Sequence, residues 1–166
     1  MNKEELIKEY DEKAKALRDE FISKLEDGKK EFKLTYPENG ETVYYIDDEG
    51  KIYDTDYFDV SSYDKYMFEH GLYFDTREEA EQHLKKQRLL FKLKKWAEIH
   101  NEGWQPNWSD YSTDKFSIYY DGQEEVLQTH FWRVSNILST LPIFKTQEIA
   151  QACIDEFGEE IKEVLC

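Results

Sequence analysis

The sequence predicts an α+β fold in which antiparallel β-hairpins form a sheet with packed helices, preceded by an N-terminal amphipathic helix. Apolar residues recur at steps of three and four along residues 2–27, which is the period of a helix with one apolar face. β-branched and aromatic runs flank Asp- and Gly-rich turns in residues 42–53 and 115–134, which is typical of hairpins. Thr76 and Thr146 stand where two further helices would begin. Helices and hairpins therefore alternate along the chain.

The composition indicates a compact, acidic protein. The chain has 166 residues and carries 37 Asp and Glu against 22 Lys and Arg, a formal net charge of −15. Aromatic residues make up 16% of it, too many for a disordered acidic segment. It contains no apolar run of about 18 residues and no apolar core of a secretory signal near its start, so we expect a soluble protein of the cytoplasm. Cys153 and Cys166 do not form a disulfide framework.

The N-terminal helix, within residues 1–36, is predicted as a pairing or docking element, separate from an α+β domain in residues 37–166. Its apolar stripe consists of Leu6, Tyr10, Ala14, Leu17, Phe21 and Leu25. The stripe is narrow enough for a short coiled-coil seam, so residues 2–27 could form a homodimer through Tyr10, Ala14, Leu17 and Phe21. The alternative is that this helix packs against its own domain.

The first half of the α+β domain, residues 37–100, is predicted to begin with a hairpin of strands at 42–46 and 51–53. The aromatic segments 63–68 and 72–74 are interpreted as further strands. Thr76 and Glu79 then form a T-x-x-E capping box, which starts a helix that runs to about His100.

The second half, residues 101–166, repeats this order. A strand at 115–121, the turn Asp121-Gly122 and a returning strand at 125–134 predict a second hairpin. Residues 142–144 form a short edge segment, and Thr146 caps a last helix that Gly158 is expected to end. Residues 74–80 and 144–150 share the pattern Phe-x-Thr-x-Glu-x-Ala, so the two halves are predicted to be a β-then-helix pseudo-repeat.

The candidate binding site is an acidic and aromatic stretch. Residues 37–75 hold 11 acidic and two basic side chains, a net charge of −9. Alternate carboxylates on a strand stand about 6.6–7 Å apart, so a nucleic-acid mimic is geometrically feasible. The predicted partner-contacting residues are Asp47, Asp48, Glu49, Tyr53, Asp54, Asp56, Tyr57 and Asp59. The alternative is a solvated hairpin face whose charges only maintain solubility.

Two further features have a structural and a functional interpretation. Lys85, Arg88, Lys92 and Lys95 share one face of the helix that follows Thr76; they would contact an acidic partner or pair with acids of this chain. Trp104 and Trp108 flank Pro106 in a loop, where they would anchor a ligand or cover the end of the core.

Motifs for catalysis are missing from the sequence. It contains no Gly-rich phosphate loop, no G-x-S-x-G elbow, no metal-spaced histidine cluster and no EF-hand loop. We therefore predict that the protein is not an enzyme and uses no cofactor or metal.

A family resemblance adds a biological context. The helix entry at 74–81, the W-x-P-x-W loop within 101–110, the strand at 115–121 and the ending at 144–158 together resemble small uncharacterised accessory proteins of phages and prophages of Gram-positive bacteria. The resemblance covers about residues 71–165 and implies no activity for individual residues. It implies that the protein acts in the cytoplasm of a host bacterial cell.

The acidic composition and this resemblance predict an inhibitor of a host defence nuclease, similar in type to acidic anti-CRISPR and anti-restriction proteins. Such a protein would act as a DNA mimic, occupying the basic nucleic-acid-binding surface of a Cas or restriction effector. Its net charge speaks against direct binding to nucleic acid or to a membrane. The alternative is a phage structural or host-takeover module that acts through other protein–protein contacts.

Overall fold

The computed structural model describes residues 3–27, 33–133 and 139–166. The chain divides into two compact units, residues 1–36 and 37–166. The described residues contain four α-helices and five β-strands, and every strand pairing is antiparallel. The predicted α+β class is confirmed.

The first unit contains the predicted N-terminal helix, α1 (Lys3–Asp27). The described members of its apolar stripe are open to solvent, since Tyr10 is 72% exposed, Leu17 68% and Phe21 65%. Glu9 and Lys13 form an ion pair one helical turn apart, with 2.6 Å between Oε1 and Nζ. The pairing or docking role of this helix stays a prediction.

The second unit begins with a three-stranded sheet and two helices. They are β1 (Thr42–Ile46), β2 (Ile52–Asp56), α2 (Ser62–Glu69), β3 (Tyr73–Phe74) and α3 (Arg77–His100). The strand order is β2-β1-β3, so β1 lies in the centre and β2 at an edge. The hairpin and the capped helix after Thr76 are as predicted.

Helices cover both faces of this sheet. Val43 and Tyr45 lie on one face because side chains alternate along a strand, and Val43 packs there in a buried cluster with Met67 of α2. On the opposite face, the Arg77 guanidinium lies 5.7 Å from the centre of the Tyr44 ring. The Phe74 ring contacts the His83 ring of α3 on that same face, with the two rings inclined by 52°. The sheet is therefore enclosed by α2 and α3.

The strand predicted at 63–68 is wrong, because this segment is helix α2. Ser61 caps the helix, and its Oγ accepts a hydrogen bond from the Asp64 backbone N–H at 3.1 Å. Asp64, Met67 and Phe68 lie on the inner side, at a spacing of three and four. Local aromatic content favours a strand, but the cap and the burial of one helical face decide the structure.

A second hairpin and the last helix complete the unit. They are β4 (Lys115–Asp121), β5 (Val126–Trp132) and α4 (Gln147–Leu165). The main core lies between α3, α4 and this hairpin; its fully buried side chains include Leu89, Leu93, Phe144, Cys153 and Ile161. The indole Nε1 of Trp96 on α3 donates to the Glu156 carboxylate on α4 at 2.8 Å. The two long helices are thus joined by a polar bond at the margin of an apolar interface.

Gly158 does not end the last helix as predicted, because α4 continues to Leu165. A Cβ atom at this position would lie 3.6 Å from Cδ1 of Leu127 on β5. This is ordinary van der Waals contact, so α4 packs on β5 here without requiring glycine, and the apolar face of α4 continues beyond it to the buried Ile161.

The predicted pseudo-repeat is present in the structure. In each half, the first strand of the hairpin, β1 or β4, lies between two partners. One partner is the second strand of the hairpin, and the other is a short segment that precedes a helix capped by threonine. Tyr44 pairs with Phe74 in the first half, and Phe116 bridges Phe144 in the second. The side chains of Thr76 and Thr146 both accept a hydrogen bond from the backbone N–H three residues later.

Asn101 connects the end of α3 to the second half. Its Nδ2 donates to the Ile143 carbonyl at 2.9 Å, and its Oδ1 accepts from the Lys145 backbone N–H at 2.9 Å. This buried amide satisfies the backbone of residues 143–145 on the side that faces away from β4.

Candidate functional site

The candidate site lies on the first half of the second unit, between the edge strand β2 and the start of α2. Six of the predicted contact residues are exposed along β2, in the turn before it and in the segment after it; they are Asp48, Glu49, Tyr53, Asp54, Asp56 and Asp59. Strand alternation places Tyr53 on the α2 side of β2, and Asp54 and Asp56 on the α3 side. The predicted residues therefore flank one sheet edge and do not form a single flat face.

Asp47 has a structural role in the β1–β2 turn. Its Oδ1 accepts hydrogen bonds from the backbone N–H groups of Glu49, at 3.0 Å, and Lys51, at 2.7 Å. Gly50 follows in the left-handed region, with φ of +78°. The carboxylate of Asp47 is half-buried and committed to the turn, so Asp48 and Glu49 carry the accessible charge at this end.

Tyr57 is not a contact residue, which corrects the prediction. Its side chain is 0% exposed and packs edge-on against Phe68 at a centroid distance of 6.2 Å. Its backbone N–H donates to the Glu41 carbonyl and its own carbonyl accepts from the Gly40 N–H. Burial raises the pKa of the Tyr57 hydroxyl, and neighbouring acids add to this. Tyr57 anchors the segment that follows it.

That anchored segment presents exposed apolar and aromatic side chains that the site prediction omitted. They are Phe58, Val60, Tyr63 and Tyr66, and together with Asp59 we call them the aromatic corner. Tyr63 and Tyr66 share the outer face of α2, and Tyr66 stacks on His70 at a centroid distance of 4.1 Å. The sequence signal for this arrangement is Ser61 followed three residues later by Asp64, which predicts a helix start.

The buried side chains of Asp64 and Tyr73 and the exposed side chain of Asn39 fix the aromatic corner. The Asp64 carboxylate accepts from the Phe58 backbone N–H at 3.1 Å and from the Tyr73 hydroxyl at 2.8 Å. The Asn39 carbonyl oxygen accepts from the Asp59 backbone N–H at 2.7 Å. Burial, and then the bond to Asp64, raise the pKa of Tyr73, so its hydroxyl remains a donor at neutral pH. The exposed rings therefore stand on a preorganised backbone.

Three of the four basic side chains on the predicted basic face of α3 contact other residues of this chain. Lys92 forms an ion pair with Glu160 of α4, and Lys95 with Glu98. An Arg88 guanidinium nitrogen lies so near Gly50 that a Cβ there would meet it at 2.7 Å. These contacts support the interpretation that this face pairs with acids and turns of the same protein.

Trp104 and Trp108 are half-buried and belong to the packing of the second half. The Lys115 ammonium lies 5.8 Å from the centre of the Trp108 ring. Trp104 lines a small open cleft of about 200 Å³ together with Pro106, Pro142 and Ile143. The loop covers one end of the core, as the structural interpretation expects.

Within the described ranges, no three His, Cys, Asp or Glu side chains come together as a metal site would require. Among the helices described, none combines the length and apolarity needed to cross a membrane. In comparisons with known proteins, no family model, curated protein or solved structure matches the chain. The absence of an enzyme activity and of a cofactor stays a prediction.

The Tyr57 hydroxyl has no hydrogen-bond partner among the described residues, although it is buried. We expect Tyr57→Phe to retain the free energy of unfolding or raise it by up to about 1 kcal/mol, because it removes an unsatisfied polar group. Tyr73→Phe is the matched control and should lose about 1–2 kcal/mol, since it breaks a bond to a carboxylate. Urea unfolding followed by tryptophan fluorescence measures both. Equal losses would show that the Tyr57 hydroxyl is satisfied in solution.

Proposed function

We propose that this protein is a binding protein that docks, through the aromatic corner and the acids beside it, on a basic surface of a partner protein. The observation that carries the proposal is the juxtaposition on a rigid backbone of exposed rings with exposed carboxylates. The segment from residue 37 to 75 has a net charge of −9, which repels anions and attracts cationic surfaces over several ångströms.

This chemistry suits an arginine-rich partner. Guanidinium groups stack on tyrosine rings and pair with carboxylates at the same time, so Tyr63 and Tyr66 beside Asp59 offer both contacts. Because the corner is held by Asp64 and Asn39, little conformational entropy is lost when it binds. Aromatic residues with such support are the usual source of binding energy in protein interfaces.

The partner class that we propose is a nucleic-acid-binding effector of host defence, and the mode is inhibition. Such effectors hold nucleic acid in strongly basic channels. Asp54 and Asp56 lie on the same side of β2 and are about 6.6–7 Å apart along the strand, which corresponds to about two nucleotide steps of one DNA strand. The resemblance to phage and prophage accessory proteins supports a Cas or restriction effector as the target.

The test is neutralisation of the exposed acids. The variant Asp48→Asn/Asp54→Asn/Asp56→Asn/Asp59→Asn should weaken binding by between about 4-fold and several hundred-fold, because four surface ion pairs of about 0.2–1 kcal/mol each sum to about 0.8–4 kcal/mol. This variant keeps Asp47 and Asp64, because Asp47 stabilises the β1–β2 turn and Asp64 stabilises the aromatic corner. The matched control removes four exposed acids elsewhere in the second unit, as Glu81→Gln/Glu102→Gln/Glu124→Gln/Glu163→Gln.

Tagged parent, variant and control proteins are used to capture partners from a Gram-positive lysate that contains CRISPR and restriction systems, over a series of salt concentrations. We expect parent and control to retain a Cas or restriction subunit that elutes as salt rises, and the variant to lose it. A partner that resists salt, or one that the variant retains, would contradict the acidic inhibitor.

The second candidate function is a phage structural or host-takeover module that binds through apolar contacts. The exposed Leu17 and Phe21 of α1 favour it, since contiguous exposed apolar side chains mark interaction surfaces. It predicts capture that is salt-tolerant and that Leu17→Glu abolishes, whereas neutralising the four acids leaves it unchanged.

A further inference from the structure

The exposed stripe of α1 has the spacing of a two-helix seam. Ile7, Ala14 and Phe21 are separated by seven residues, and Tyr10 and Leu17 each follow by three, which is the a and d pattern of a heptad repeat. Ile7, Tyr10, Leu17 and Phe21 are all exposed on the described helix. A surface of this kind is covered in water by another apolar surface.

We propose that α1 pairs with α1 of a second copy of the chain, and that the two helices run antiparallel. In that direction Leu17 of one helix faces Ala14 of the other, and Phe21 faces Tyr10. A large side chain therefore opposes a small one at the centre, while aromatic rings meet on either side. Two-fold symmetry makes each of these contacts occur twice.

The charges beside the stripe decide the direction. Lys13 and Glu20 occupy equivalent positions at its margin, and antiparallel helices bring Lys13 of one copy beside Glu20 of the other. In a parallel pair Lys13 would instead face Arg18, which is a repulsive contact. Lys13 forms an ion pair with Glu9 of its own helix, but the Lys13 side chain is 76% exposed. An exposed ion pair contributes little free energy, so Lys13 can exchange Glu9 for Glu20 of the second copy.

The size of the interface sets the strength of the pair. Five side chains from each helix would bury about 1,000 Å² in total, at the lower end for specific association. The dimer is therefore reversible and depends on protein concentration. It doubles the number of acidic surfaces in one particle, which raises avidity for a partner that offers two basic sites. The pairing stands independently of the proposed function.

The experiment measures the molar mass of the full chain by sedimentation equilibrium over a concentration series. We expect a monomer–dimer equilibrium for the parent and a monomer for Leu17→Glu. Lys13→Glu should raise the dissociation constant about tenfold, because it places two like-charged pairs at the margin. Lys13→Glu/Glu20→Lys should restore the parent value. Lys15→Glu, the same charge change on the outer face, should change it less than about twofold.

Each alternative gives a distinct result. Tighter association of Lys13→Glu would show a parallel pair, because glutamate would then face Arg18 of the second copy. A parent that remains monomeric at every concentration would overturn the pairing itself. Failure of the double variant to recover, with helix content unchanged by circular dichroism, would overturn the antiparallel direction.

Discussion

Replacement of Phe144 by alanine is expected to lower the free energy of unfolding of the second unit by about 3–5 kcal/mol. The Phe144 ring is 0% exposed, lies in the main core and meets Trp96 edge-on at a centroid distance of 6.4 Å. Its backbone N–H and carbonyl both bond Phe116, so an isolated antiparallel bridge fixes Phe144 beside β4. The expected loss combines the transfer free energy of the ring with the cost of the cavity that remains after partial relaxation.

The matched control is Phe131→Ala on β5. Phe131 is opposite the same Phe116 but is 51% exposed, so its truncation should cost less than about 1 kcal/mol. All four tryptophans lie in residues 37–166, so their fluorescence during urea unfolding reports on this unit. Equal losses for the two variants would contradict the burial of Phe144.

Replacement of Lys115 by methionine is expected to lower the free energy of unfolding by about 2–4 kcal/mol. Lys115 is 0% exposed, and its ammonium donates to the backbone carbonyls of Asp110, at 2.5 Å, and Thr113, at 2.9 Å. Methionine has a similar length but cannot donate, so two carbonyls of the loop lose their partner. The Trp108 ring also loses its cation.

Lys145→Met is the control for the charge change. Lys145 is exposed and forms a long ion pair, 3.6 Å, with Glu102, so the expected change is within about 0.5 kcal/mol. Thermal and urea unfolding of both variants at neutral pH measure the difference. If Lys115→Met were as stable as the parent, the ammonium would not hold the loop in solution.

The elements that the sequence predicts well are those that depend on neighbours in the chain. The hairpin turn at residues 47–50 needs Asp47 and a glycine that can adopt positive φ. In the turn at residues 121–125 the Asp121 carboxylate again accepts backbone bonds, but the residue with positive φ is Glu125 and not Gly122. At the starts of α3 and α4, a threonine hydroxyl accepts a hydrogen bond from the backbone N–H three residues later in the chain. The same local chemistry occurs twice along the chain, and for this reason the sequence pattern is sufficient to predict the pseudo-repeat.

The candidate site was predicted only in part, because exposure is a property of packing. Tyr57 and Tyr63 lie in the same acidic, aromatic stretch, but Tyr57 is buried beneath α2 whereas Tyr63 is 61% exposed on its outer face. The difference arises because α2 is a helix, and its inner side must cover Val43 and Tyr73. With the segment interpreted as a strand, the two tyrosines could not be distinguished.

The sequence by itself determined the α+β class, both hairpins, three of the four helices and the acidity of residues 37–75, because local hydrogen bonds, periodicity and charge suffice for these. Only the tertiary structure decided that residues 63–68 are helical, that α4 continues through Gly158, and that Lys115 is buried. The inner side of α2 covers Val43 and Tyr73, α4 packs on Leu127 of β5, and the Lys115 ammonium is held by the carbonyls of Asp110 and Thr113. Burial of this kind depends on how the elements pack, which patterns along the chain specify only in part.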